Sequence, residues 1–82
     1  MMRFEDDLVN HPPHYTHGDV ECIDAIESAV SANPVAKEVP CQTNIIKYIW
    51  RYFSKDQENQ LKDLRKARWY LDRLIKMKEE KE

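Results

Sequence analysis

The chain has 82 residues, of which 41% are apolar, 34% charged and one a glycine, and its formal charge is −2. That is material for one small core and few tight turns, which favours an all-α domain over a turn-rich β fold. No apolar run approaches the roughly 20 residues that cross a bilayer, and the acidic start "MMRFEDD" lacks the basic and apolar blocks of a secretory leader. A cytosolic location is expected, with Cys22 and Cys41 as free thiols.

Taken in order, residues 1–18 read as an N-terminal loop and residues 19–82 as a helical domain, one domain overall. "NHPPHYTHG" holds two prolines, which remove backbone donors and fix φ, so this segment is extended or turning. Asp19 is the expected N-cap of a first helix, "DVECIDAIESAV", with Val20, Ile23, Ile26 and Val30 on one stripe. Asn33 and Pro34 end it, and the connector "NPVAKEVPCQ" places Pro40 in the first turn of a second helix running to about Ser54. Asp56 then caps a third helix from Gln57 to about Lys78.

At 100° per residue, Ile45, Ile46, Ile49, Trp50 and Phe53 share the expected core side of the second helix. Asn44, Lys47, Arg51 and Lys55 project from the other side with Tyr48 beside them and Tyr52 at the border. In the third helix Leu61, Leu64, Ala67, Leu71, Leu74 and Ile75 form the expected buried stripe, and Lys62, Lys66, Trp69, Arg73 and Lys76 lie opposite. Cations on such faces are ordinarily solvated, but large aromatics opposite the apolar stripe need another surface to cover them. A second copy, the N-terminal loop or a ligand's ring could do so. If the ligand is a nucleotide, the cations hold phosphate while an aromatic stacks on the base.

Charge is unevenly distributed. Residues 1–41 carry two basic residues against eight acids, and residues 42–82 carry eleven against seven, so the halves stand at −6 and +4. Such polarity steers an anionic ligand to the basic half, or joins the acidic part of one copy to the basic part of another. The total does not suit a duplex nucleic-acid binder. A homo-oligomer is expected, because so small a core leaves apolar surface to bury between copies. Trp69 is one candidate contact in it.

His11, His14 and His17 recur at intervals of three, but with no cysteine or carboxylate at fixed spacing they make no standard zinc site, and no metal is expected. His14 and Tyr15 suit a polar clasp over the helices, an imidazole donating to a phosphate or a carbonyl. With Gly18 as the single glycine there is no phosphate loop. Ser28, Ser31 and Ser54 have no assigned histidine partner to make a nucleophile.

The order "VNHPPHYTHGDVECIDAIESA", "NIIKYIWRYFSK", "LKDLRKARWYLDRLI" resembles the small bacteriophage family called SaV-like, over residues 9–75. That family reads Asn-His-Pro-x-His-Tyr, Glu-Cys-Ile-Asp, Asn-x-x-Lys-Tyr-x-x-Arg and Asp-Leu-x-Lys-Ala-x-x-Tyr-Leu. Its motifs fall here on His11, His14 and Tyr15, on Asn44, Lys47, Tyr48 and Arg51, and on Asp63, Lys66, Ala67, Tyr70 and Leu71. The resemblance implies a phage protein in the cytoplasm of the infected bacterial host, and some relatives are described as deoxynucleoside monophosphate kinases lacking the usual phosphate loop.

This chain departs from the pattern at Thr43-Asn44 and "SKDQENQ", where the family has glycines. If those glycines let backbone approach phosphate, that freedom is lost, which favours binding over turnover. The leading expectation is a nucleotide-binding protein that binds or sequesters a nucleotide or a nucleotide-derived defence signal. Its expected site comprises His11, His14, Tyr15, Asn44, Lys47, Tyr48, Arg51, Lys55, Lys66 and Tyr70. Binding needs no cofactor, whereas a nucleotide kinase, the first alternative, needs Mg and ATP, with Asp63 or Asp72 aiding the metal. The second alternative is a helical module that acts on a host protein.

Overall fold

A computed structural model describes residues 16–80. It opens with a two-residue hairpin in which β1 (Thr16–His17) pairs antiparallel with β2 (Val20–Glu21), Thr16 opposite Glu21 and His17 opposite Val20. Gly18 leads the connecting turn at φ +61°. Tight hairpin turns require a positive φ at that position, which only glycine adopts without strain. This corrects the first helix boundary. Asp19 is a turn residue, a role that suits its short polar side chain, and the helix α1 spans Cys22–Val30 with extended Glu21 at its cap position.

Ser31 and Asn33 close the end of α1 through backbone bonds to Glu27 and Val30, both at 3.0 Å. The connector is structured. Asn33 Oδ1 accepts the Val35 amide at 2.9 Å, while its Nδ2 donates to Gln42 Oε1 at 2.9 Å. Gln42 Nε2 in turn donates to the Ala29 carbonyl at 3.1 Å, tying the end of α1 to the start of α2. After a 3₁₀ turn at Ala36–Glu38, α2 (Val39–Arg51) carries Pro40 in its first turn, where a missing amide hydrogen is harmless. Glu38, at the junction, is buried and ion-paired to Lys78 Nζ at 2.6 Å, which anchors the far end of the last helix.

A second 3₁₀ turn, Tyr52–Ser54, leads to α3 (Gln57–Glu80). Asp56 caps it, accepting the Asn59 amide at 2.9 Å. The short connection makes α2 and α3 antiparallel neighbours, and α1 packs on α2. The described residues are thus three helices and a minimal hairpin, an all-α fold. None of these helices is long and apolar enough to cross a membrane.

The core differs from the expected stripes. Cys22, Ile26, Cys41 and Ala67 are its buried apolar members, and both cysteines are free thiols. Val20, in β2, and Ile23, on α1, are exposed, and Cys22 takes the inner position. On α3 the inward face is Gln60, Asp63, Ala67, Tyr70, Leu74 and Met77, spaced three and four apart and all buried or half-buried. Leu61, Leu64, Leu71 and Ile75 are exposed, as are Ile49 and Phe53, while Ile45, Ile46 and Trp50 are half-buried. The α2–α3 seam therefore runs along the more polar sides of both helices. Small Ala67 permits the close approach, and a buried ion-pair cluster satisfies the charge this seam encloses.

Candidate functional site

Arg51, at the end of α2, and Lys55, just past the 3₁₀ turn that follows it, both reach Asp63 on α3. Arg51 Nε lies 3.3 Å and Lys55 Nζ 3.0 Å from the same oxygen, Oδ2, and Asp63 is only 1% exposed. Both cations were expected on the side facing away from the core; their charged ends instead help lock the two helices together. Asn44 is also engaged locally, its Nδ2 donating to the Pro40 carbonyl at 2.9 Å.

Burial pushes the Asp63 carboxyl up, but the Lys55 hydrogen bond and the Arg51 and Lys55 charges outweigh it and hold the pKa below the ordinary carboxylate value. A carboxyl so depressed stabilises the fold fully above its unfolded pKa, about 3.9, and loses that contribution as pH falls through the folded value. The urea midpoint is accordingly expected to drop between pH 5 and pH 3, and to drop less in Asp63→Asn; urea titrations of both proteins across that range check it. Beside this cluster, burial raises the Cys22 thiol against the opposing charges of Arg51 and Lys47, so it stays protonated at neutral pH.

Next to the ion pair stands an aromatic cluster. Tyr48 of α2 and Tyr70 of α3 stack with centroids 6.2 Å apart and planes at 19°, and Trp69 meets Tyr70 edge-on at 4.9 Å. Three cations gather over the Tyr48 ring: Lys47 Nζ at 4.6 Å, Arg51 Cζ at 5.2 Å and Lys66 Nζ at 5.5 Å. Arg73 Cζ lies 5.8 Å from the Trp69 ring. Tyr48, Lys66, Trp69 and Tyr70 line an open groove of about 290 Å³. Among the described residues, neither Lys47 nor Lys66 pairs with a carboxylate.

Of the expected site residues, Lys47, Tyr48, Arg51, Lys66 and Tyr70 converge on this cluster. Lys55 adjoins it through Asp63, and Asn44 is bonded to its own helix. His11, His14 and Tyr15 lie outside the described residues. Two participants were missing from the expected set. Trp69, which the sequence places among cations as a candidate assembly contact, lines the groove. Asp63, a motif position of the resemblance and a metal aid under the kinase alternative, has its carboxylate enclosed by Arg51 and Lys55. The signal for Asp63 was its place four residues before Ala67 on a single helical face.

These features define a small all-α domain whose main helix pair is pinned by a buried Asp–Arg–Lys cluster and bears a cationic aromatic groove. The chain belongs to the family described as "Protein of unknown function (DUF3310)", whose model matches residues 9–72. The match spans the hairpin, α1, α2 and most of α3. No curated protein and no solved structure matches the chain.

Proposed function

We propose that this protein binds a nucleotide, or a nucleotide-derived signal, in the groove between α2 and α3. The observation that carries the reading is the pairing of two cations, Lys47 and Lys66, which have no carboxylate partner among the described residues, with the ring cluster of Tyr48, Trp69 and Tyr70. A base stacks on an exposed ring, which is worth roughly 1–3 kcal/mol per base, while the ammonium groups take the phosphate through charge-assisted hydrogen bonds. Arg51 adds its field while its Nε donates to Asp63. The resemblance to SaV-like phage proteins supports a setting in the cytoplasm of an infected bacterium, where removing a nucleotide signal from solution would counter a host defence.

Binding without turnover is the reading we favour. Phosphoryl transfer needs two substrates in line and strong neutralisation of developing charge, normally by glycine-loop amides and a metal ion. The single glycine, Gly18, serves the hairpin turn. The experiment is to purify the protein, denature it and identify released small molecules by mass spectrometry and ultraviolet spectrum. The expected result is a nucleotide in near-stoichiometric amount, recovered chemically unchanged after incubation with ATP and magnesium. No nucleotide on the isolated protein, together with no uptake of nucleoside mono- or triphosphates, would overturn the reading. Steady diphosphate formation, lost on substituting Lys66, would replace it with the kinase.

A further inference from the structure

Leu61, Leu64, Leu71 and Ile75 are 46%, 37%, 46% and 47% exposed, although they are the most regular apolar series in the chain. With Arg68 they fall at intervals of three, four, three and four, the seam of a two-helix coiled coil, over about 21 Å of α3. The seam is turned roughly 100° around the helix from the Asp63–Ala67–Tyr70 face that meets α2. In an antiparallel pair, Ile49 of α2 and Phe53 of the 3₁₀ turn after it turn to that same side, at 47% and 57% exposure. Leu61, Leu64, Arg65 and Arg68 also line a depression of about 380 Å³, a shape able to receive a side chain from a facing helix.

We propose that this face is a dimer interface and that a second copy of the chain occupies it, α3 against α3 in antiparallel orientation with the two-fold axis at Arg68. The pattern is nearly palindromic about that residue: Leu61 and Ile75 lie seven positions either side, Leu64 and Leu71 four and three. A stripe that matches itself on reversal suits a two-fold contact, in which one patch meets its own copy. The reversal sets Leu61 against Ile75 and Leu64 against Leu71. It also sets Arg65 against Asp72 of the second copy, twice, because both residues edge the same flank of the stripe. A parallel pairing brings opposite flanks together and loses that match. Glu58 and Glu79 share a layer near the ends, at the solvent rim where repulsion is weak, and Glu58 is held by Lys62 at 3.9 Å. The two Arg68 side chains at the axis set the register at some loss of affinity, as a polar seam residue does.

The area is sufficient. Six half-exposed side chains offer on the order of 500 Å² of apolar surface per copy, which is the apolar share of a standard interface of roughly 800 Å² per partner. The inference is independent of the ligand reading, because Lys66, Trp69 and Arg73 occupy the opposite flank of α3.

Sedimentation velocity at micromolar concentration tests it. The protein should run at twice its 9.8 kDa chain mass, Leu64→Glu with Leu71→Glu should run as a monomer with unchanged circular dichroism, and Trp69→Ala should remain a dimer. Arg68→Leu should tighten association at least tenfold. Should the glutamate variants fail to fold, Arg68→Cys supplies the second test: mild oxidation is expected to link most chains into dimers on a non-reducing gel. A monomeric wild type, a dimer that survives both glutamates, or Arg68→Cys chains that do not cross-link would each overturn the proposal.

Discussion

Asp63→Ala is expected to lower the unfolding free energy by about 3 kcal/mol, the scale of breaking a buried pair. For a domain of this size, holding on the order of 5–10 kcal/mol, that is roughly a third to three fifths of its stability. The Asp63 side chain is 2% exposed while those of Arg51 and Lys55 are 16% and 31% exposed, so removing the carboxylate leaves two mostly covered cations repelling each other across the α2–α3 seam. Asp63→Asn, which keeps the shape and a neutral acceptor, should lose less. Arg51→Ala should also lose less, because Lys55 remains 3.0 Å from the carboxylate. Urea unfolding at pH 7, followed by circular dichroism, orders the three variants; a loss below about 1 kcal/mol for Asp63→Ala would mean the cluster is ordinary surface pairing.

Much of the helical frame was legible because its signals are local. Pro40 in a first turn and Asp56 three residues before the amide it accepts are read from neighbouring residues alone, and both stand where expected. Asp19 was misread because a short polar residue serves a cap and a turn equally well; the preceding Gly18, at φ +61°, decides for the turn. The core was harder. Periodicity reports that α3 has a leucine stripe but not which surface covers it. The intramolecular seam instead uses Ala67 and half-buried polar residues, whose moderate hydropathy carries little signal.

The candidate site divides in the same way. Lys47, Tyr48 and Arg51 belong together by their spacing on one helix, as Lys66 does with the cations of the next, and Tyr70 entered through the resemblance to SaV-like proteins. Their meeting depends on the register of α2 against α3, which is a tertiary fact. That register also brings Asp63 under Arg51 and Lys55. A cation paired to an aspartate twelve residues away, Arg51 to Asp63, looks in sequence like a cation available to phosphate.

Neutralising Lys47 and Lys66 together should have the largest effect on ligand binding. Each charge-assisted hydrogen bond to phosphate contributes roughly tenfold or more in affinity, so the double substitution should weaken binding about a hundredfold. The fold should hardly notice, since neither lysine pairs with a carboxylate among the described residues. Calorimetric titration of the wild type and of Lys47→Ala with Lys66→Ala, against a panel of nucleoside monophosphates and cyclic nucleotides, measures this at one salt concentration. The account predicts a saturable wild-type isotherm for at least one nucleotide and about a hundredfold weaker binding by a variant with the same unfolding midpoint. Equal affinity of the two proteins, or no heat from any nucleotide with ligand-free wild type, would contradict it.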